Sequence, residues 1–450
     1  MNHTESSRTA ATNLPTAAVL DKLNPDRAIV PRQWYNLASD IPFEMPRPLH
    51  PTEDRPVEME DFSFLYSTEC LKIELGIGQY ADTPWINVPD QVYEEYLRYR
   101  PSPLMRATGL EAYLGTPAEI YFKREDLNPG GSHKFNTALP QAFYGLQDGV
   151  KTLVSDTGAG QWGTALAMAC QIFGLNTVVF MIQKSYQEKP YRRYLMRLMK
   201  AEVISSPSDK TETGRRVLSE TPGNTGSLGI GMSEAIELVS SNGDHRLALG
   251  CMAYYAVMHQ TVIGIETQRQ LESIGRRPDA LVGCVGGGSN FAGFIAPFVQ
   301  AKLQGEPIDL IAVEPDSIPC FTNGDYRYDW ADFTGLTPRI KMYTLGHHFA
   351  PPAIHSGGLR YHGKTPILSL LVHEGVVTPR AFSQAEVFKA GQLLLQTDHV
   401  LPAPESTHAV LAVIKEALKA KEQRQKKVVV GCLSGQGYLD LKGYADVLNL

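Results

Sequence analysis

The chain has 450 residues, 43% hydrophobic and 20% charged, with a formal net charge of −6. This is an ordinary globular composition, long enough for two or three domains and without a basic footprint for nucleic acid. The longest uncharged apolar run, Leu247 to Met258, falls short of the ~18 residues that suggest a membrane span, so no membrane partner is expected. Six cysteines (Cys70, Cys170, Cys251, Cys284, Cys320 and Cys432) form no C-x-x-C pair, which excludes a zinc ribbon or disulfide scaffold and suits a reducing cytoplasm.

Residues Met1 to Ala18 are rich in Ser, Thr and Ala, with Arg8 as their one Lys or Arg. They read as a tail, with a transit peptide as the alternative and no secretory signal. Residues 1–98, rich in proline and acidic side chains, read as an extension wrapping a core. From Glu119 strands and helices alternate. Ile120 to Phe122 predicts a strand, His133–Gln147 a helix, Thr152–Ser155 a strand, Thr164–Phe173 a helix and Thr177–Ile182 a strand. Pro190 opens a helix to Lys200, where proline is tolerated in the first turn, and Val203-Ile204 is a short strand. The style then repeats: helix Ala253–Leu271, strand Ala280–Val285, helix Asn290–Leu303, strand Leu310–Val313, helices Gln384–Gln396 and Thr407–Gln423, strand Lys427–Cys432. Such alternation predicts parallel sheets covered on both faces. The expected fold is α/β: two open parallel-sheet three-layer domains, residues 99–250 and 251–450, with a cleft between them.

Gly130-Gly131-Ser132-His133-Lys134-Phe135-Asn136 places a lysine behind a flexible turn and ahead of an apolar helical run. A cation is electrostatically misplaced at a helix start, which prefers anions. Chemistry resolves this if the amine of Lys134 is held as an imine to an aldehyde cofactor whose phosphate compensates the field; a solvated surface lysine is the alternative.

Three further glycine-bearing loops follow strands. Gly158, Gly160 and Gly163 satisfy G-x-G-x-x-G, but the acidic residue expected ~20 positions on for a dinucleotide ribose is missing. The loop instead suits a small anion such as a carboxylate, gripped by backbone N–H groups and the Thr157 hydroxyl. Gly286-Gly287-Gly288-Ser289-Asn290 lacks the G-K-[ST] ending of a triphosphate loop and suits a phosphate at a helix start, or a plain tight turn. Ser434, after strand Lys427–Cys432, is placed to hydrogen-bond a ring nitrogen.

Together with Arg32-Gln33-Trp34-Tyr35-Asn36, Arg100-Pro101-Ser102-Pro103-Leu104, Glu188-Lys189-Pro190-Tyr191-Arg192-Arg193, Gly357 to Gly363 and Pro402-Ala403-Pro404-Glu405-Ser406, these motifs resemble the tryptophan synthase β-chain family. The resemblance is to its second subfamily and runs from about Pro31 to near the C-terminus. It implies a fold-type II enzyme with pyridoxal 5′-phosphate (PLP) in the cleft, converting L-serine and indole to L-tryptophan through an aminoacrylate. By resemblance, Lys134 is the Schiff-base lysine and α-proton shuttle. His133 and Gly286 to Asn290 surround the phosphate, Ser434 faces the ring nitrogen and Glu405 lies near the ring. Thr157, Gly158, Ala159, Gly160 and Gln161 bind the substrate carboxylate. The resemblance also implies a homodimer and a monovalent cation on main-chain carbonyls, and it leaves an α-subunit partner open.

Departures from the family pattern are informative. The catalytic glutamate before the Thr-Gly-Ala-Gly-Gln loop is Asp156 here, shorter by ~1.5 Å, a misplacement worth about 100-fold in rate if uncompensated. Asp156 is expected as the acid/base, with a turn cap as the alternative. Another nucleophile, or serine deamination, is the alternative outcome. Gly130, Gln436 and Tyr438 also depart from the usual residues. Arg360 suits a phosphate leaving group, so O-phosphoserine is an alternative donor. His347, His348, His355 and His362 are expected to line the cleft or cap loops, with a metal site as the alternative.

Overall fold

The structure, a computed structural model, describes residues 25–450, so the Ser/Thr/Ala-rich tail lies outside the described residues. Two parallel sheets organise the chain. The smaller contains β5 (Thr152–Thr157), β6 (Asn176–Ile182), β7 (Glu202–Ser206) and β8 (His245–Leu247) in the order β7-β6-β5-β8. The larger contains β3 (Leu104–Arg106), β4 (Glu119–Arg124), β9 (Ala280–Cys284), β10 (Asp309–Pro315), β13 (Thr378–Phe382) and β14 (Val428–Leu433), in the order β13-β10-β9-β14-β4-β3. Only β3 runs antiparallel to its neighbour in these two sheets. Among the described residues, two antiparallel pairs complete the strands: β1 (Gln33–Tyr35) with β2 (Trp85–Asn87), and β11 (Asp325–Trp330) with β12 (Arg339–Thr344).

Both sheets are covered on two faces, as parallel sheets require. In β6 the side chains alternate. Val179 and Met181 pack with Ala167 and Met196 from helices Gln161–Phe173 and Pro190–Leu198. Val178 and Phe180 join Met232 and Ile236 of helix Leu228–Ser240. In the larger sheet, Val282 and Val429 face Val410 and Val413 of helix Ser406–Gln423, while Leu281 and Val430 belong with Phe291 and Phe294 of helix Ser289–Leu303.

The sheets do not follow the expected division at residue 250. Strands β3 and β4 lie in the 99–250 segment yet join the larger sheet, where Glu119–Arg124 pairs in parallel with Val428–Leu433. Hydrogen-bonded pairing with a distant strand, not chain order, decides membership. The chain therefore leaves the larger sheet at Arg124 and enters the smaller at Thr152, and Lys134 sits on the crossing. The N-terminal residues share the central core: Trp34, Leu37 and Phe62 are buried in the same cluster as Phe291. The Tyr254 hydroxyl donates to Asn36 Oδ1 (2.7 Å) and the Tyr35 N–H donates to Thr261 Oγ1 (3.0 Å), docking this segment on helix Tyr254–Ser273.

Candidate active site

Lys134 occupies the N-cap position of helix Phe135–Gln147. The turn before it runs through Gly130 (φ 74°) and Gly131 (φ 75°), a left-handed backbone that glycine adopts without penalty. The turn is stitched to the loop after β14: the His133 N–H donates to Ser434 O (3.0 Å) and the Gln436 N–H to Gly131 O (2.9 Å). Behind the lysine, Asn136 accepts from Arg100 Nη1 (2.7 Å) and donates to Glu125 Oε2 (2.9 Å). Pro140 lies inside the helix and has no N–H for the Asn136 carbonyl; the Tyr96 hydroxyl donates to that oxygen instead (2.6 Å). The lysine-bearing helix start is thus held from both sides.

Two adjoining cavities share Lys134, Gln161, Cys251 and Gly358. One, of about 410 Å³, is lined by His133, Gly286 to Asn290, Glu405 and Ser434. The other, of about 550 Å³, is lined by Asp156 to Ala159 and by apolar side chains including Trp162, Leu228, Met232, Leu249, Met252 and Tyr361. One cavity is rich in hydrogen-bonding groups and the other is mainly apolar, and Lys134 stands at their junction.

The polar cavity fits a phosphorylated pyridine. Both amide atoms of Asn290, His133 Nδ1, Glu405 Oε2 and Gln161 Nε2 are buried with no protein partner, a cost of about 1–3 kcal/mol each that a polar ligand removes. A Cβ at Gly286 would lie 2.3 Å from Gly358 O, and one at Gly287 2.7 Å from Cys251 Sγ, so this cup admits only glycine. Gly288 (φ 111°) opens helix Ser289–Leu303, whose N-terminus favours an anion. Ser434 Oγ lies 2.9 Å from Ser406 Oγ and 3.3 Å from Cys284 Sγ, which orient it. Glu405 Oε1 accepts from the Gly358 N–H (2.7 Å). Burial, with a smaller effect of Lys134, pushes the His133 imidazole down to about 3, so it is neutral.

Asp156 is buried near the end of β5. Burial pushes its carboxyl up to about 7, against its own backbone N–H and the Lys134 ammonium, which favour the anion. A group poised there exchanges protons readily near neutral pH. The next loop approaches the opposite lobe: a Cβ at Gly158 would lie 3.0 Å from Gly357 O. Thr157 Oγ1 accepts from the Gly163 N–H (3.2 Å), so this hydroxyl caps the helix.

Two residues expected in the site lie off both cavities. Gly160 (φ 94°) backs onto Arg192. Arg360 is buried, donates to Pro351 O (3.1 Å) and leaves Nε without a partner. Its neighbours Leu359 and Tyr361 face the cavities instead. The histidines have structural partners: His347 Nδ1 lies 2.7 Å from Asp329 Oδ1, and His362 Nε2 lies 2.9 Å from Trp330 O. Among the described residues, no group of three or more His, Cys, Asp or Glu side chains is placed to hold a metal. The same residues contain no helix long and apolar enough to cross a membrane. Sequence reasoning did not single out Cys251 or the apolar wall of Leu228, Met232, Leu249 and Met252; unremarkable hydrophobic side chains carry no local signal of a cavity.

A family model described as pyridoxal-phosphate dependent enzyme matches residues 96–435. The chain is 48% identical to tryptophan synthase beta chain 2 of Thermotoga maritima over 95% of its own length and 99% of that protein's. It is 50% identical to tryptophan synthase beta chain of Thermococcus gammatolerans, over 94% of this chain and 96% of the relative. Among solved structures, a T.th. threonine deaminase superposes with a TM-score of 0.57 at 21% identity, covering 77% of this chain and 96% of the other. An L-serine ammonia-lyase from Rhizomucor miehei gives 0.57 at 17% identity, covering 77% and 97%. These two likenesses show the shared fold.

Proposed function

We propose that this chain, which belongs to the tryptophan synthase β-chain family of pyridoxal-phosphate-dependent enzymes, is a lyase that converts L-serine and indole to L-tryptophan and water. The observation that carries this reading is the position of Lys134, shared by a cavity of polar donors and a largely apolar one containing Asp156.

PLP, when bound, supplies an electron-withdrawing ring that stabilises negative charge at the α carbon of the amino acid. Lys134 would hold its aldehyde carbon, Gly286 to Asn290 and His133 its phosphate, and Ser434 its ring nitrogen, with Glu405 beside the ring. A neutral hydroxyl such as that of Ser434 would leave a bound ring nitrogen unprotonated, which would favour replacement over transamination. The Lys134 amine would take the α-proton of the bound amino acid and later return it. The backbone of Thr157 to Gln161 holds the serine carboxylate at the start of helix Gln161–Phe173. Protonated Asp156 gives its proton to the departing hydroxyl, and ionised Asp156 then takes one from indole. Leu228, Met232 and Met252 supply a water-poor wall for the indole face.

The working unit is a homodimer in the cytoplasm. All six cysteines stand as free thiols, which suits a reducing compartment. A monovalent cation on main-chain carbonyls belongs to this reading by family resemblance. The assay is tryptophan formation from serine and indole by the PLP-loaded protein, with visible cofactor absorbance recorded alongside. Wild type forms tryptophan and Lys134→Ala loses both product and the absorbance of the attached cofactor; absence of tryptophan from loaded wild type refutes the reading.

O-phosphoserine is a second donor favoured by one observation: the buried Arg360 guanidinium keeps Nε unpartnered. Recruiting it requires the side chain to leave Pro351. A selective loss of O-phosphoserine turnover in Arg360→Ala supports this; equal turnover of both donors by variant and wild type counts against it.

A further inference from the structure

The segment Glu188 to Arg193 has no part in the chemistry above, yet one of its two arginines, Arg192, reaches the back of the substrate loop. Arg192, on helix Pro190–Leu198, is 3% exposed. Its Nη1 donates to the Ala159 carbonyl (3.2 Å) and to Asp440 Oδ1 (3.0 Å), and its Nη2 donates to Asp440 Oδ2 (2.7 Å). Gly160 allows this approach: a Cβ there would lie 2.9 Å from Arg192 Cβ. Asp440 follows β14 of the larger sheet, whereas Ala159 follows β5 of the smaller one. One planar fork therefore spans the cleft, with a forked bond on one side and a backbone bond on the other. Lys189 Nζ also donates to Asp440 Oδ1 (2.8 Å), so that carboxylate has two cations. Burial works against the Asp440 charge, but Arg192 and Lys189 together hold its carboxyl below the usual range.

We infer that Arg192 is a positioning residue, fixing the Thr157–Gln161 loop against the segment after β14 so that its N–H groups present one shape to the amino-acid carboxylate. The assignment rests on the carboxylate-binding role proposed for that loop. The fork touches Ala159 from behind, so its loss leaves the phosphate cup and the apolar wall in place. The donor amino acid should weaken selectively, while cofactor and nucleophile do not.

The second cation makes the test practicable. In Arg192→Met, Asp440 keeps Lys189, so no buried charge is stranded. Arg192→Lys retains charge but cannot supply the planar fork. PLP-loaded wild type and both variants are titrated with L-serine, following the visible absorbance change without requiring tryptophan formation. Cofactor content, the indole KM and Tm are measured in parallel. The half-saturating serine concentration is expected to rise about 10- to 100-fold in both variants, with cofactor content and indole KM within about twofold of wild type. Unchanged serine saturation overturns the assignment. So does a joint weakening of serine, indole and cofactor with a collapsed Tm, because that marks a merely structural pair. A wild type that responds to serine but forms no tryptophan defeats the proposed reaction alone; a wild type whose serine response the variants share defeats the Arg192 inference alone.

Discussion

The α carbon of Gly231 lies against Asp156: a Cβ built there would sit 3.2 Å from the aspartate Cβ. Gly231 belongs to helix Leu228–Ser240, which presents Leu228 and Met232 to the apolar cavity. The helix backbone therefore packs directly against Asp156, with no room for a side chain between them. In Gly231→Ala the two must move apart by a few tenths of an ångström. Turnover is expected to fall about tenfold with the serine KM little changed. Alanine gains about 0.5–1 kcal/mol in helix propensity, so Tm should not fall, and steady-state kinetics beside a melting curve separate displacement from unfolding.

The phosphate cup makes a sharper steric prediction. Gly287→Ala forces a methyl group to within 2.7 Å of Cys251 Sγ. Overpacking of this kind costs about 1–3 kcal/mol, and here it falls on one of the residues common to both cavities. Equilibrium titration with PLP should show at least tenfold weaker binding. Adding Cys251→Gly, which removes both the Sγ and the Cβ that lies 2.9 Å away, should recover most of it; no recovery means that the clash lies elsewhere.

Ser434 is oriented by Ser406 at 2.9 Å and Cys284 at 3.3 Å. Removing the hydroxyl in Ser434→Ala deletes one neutral hydrogen bond, worth about 1 kcal/mol. Cofactor affinity should fall about fivefold while Tm of the cofactor-free protein barely moves. Unaltered affinity and absorbance would place the ring nitrogen away from Ser434.

Under the Lys134 helix, Arg100, Lys123, Glu125 and Glu266 form a fully buried ionic network. Burial opposes the Glu125 charge, but Arg100 and Lys123, with the Ser102 hydroxyl, hold its carboxyl well below the usual range. Because the folded pKa is depressed, this stabilisation is present above the unfolded value of ~4.3 and fades as pH falls through the folded one. Glu125→Gln should lose about 3–5 kcal/mol at pH 7, with a smaller loss in acid. Denaturant melts across pH check the slope.

Local chemistry was readable from sequence and long-range pairing was not. Lys134, the glycines at 286–288 and Ser434 announce themselves because backbone shape and residue type act within one turn. Helix Leu228–Ser240 carries a weak sequence signal, because Pro222, Gly223, Gly226, Gly229 and Gly231 dilute its helical pattern. Its glycines instead permit contact with Asp156 and Phe333. The place of β4 beside β14 leaves no local trace, since the pairing joins strands far apart in the sequence. Arg360 was legible as a charge but not as a direction: its neighbours enter the cavities while it turns to Pro351.

The proposed chemistry turns on Asp156. Its folded pKa, about 7, lies above its ordinary 3.8. The native state therefore binds the extra proton between those values, and this residue's contribution to stability falls as pH rises through that window. Asp156→Asn should flatten that part of the stability profile and erase an ionisation near pH 7 from kcat/KM. The most direct measurement is tryptophan turnover of PLP-loaded Asp156→Asn beside wild type, with Asp156→Glu as the conservative control. The acid/base role of Asp156 predicts a loss of at least about 100-fold in Asp156→Asn, with cofactor absorbance intact and activity retained in Asp156→Glu. Wild-type tryptophan turnover by Asp156→Asn would contradict it.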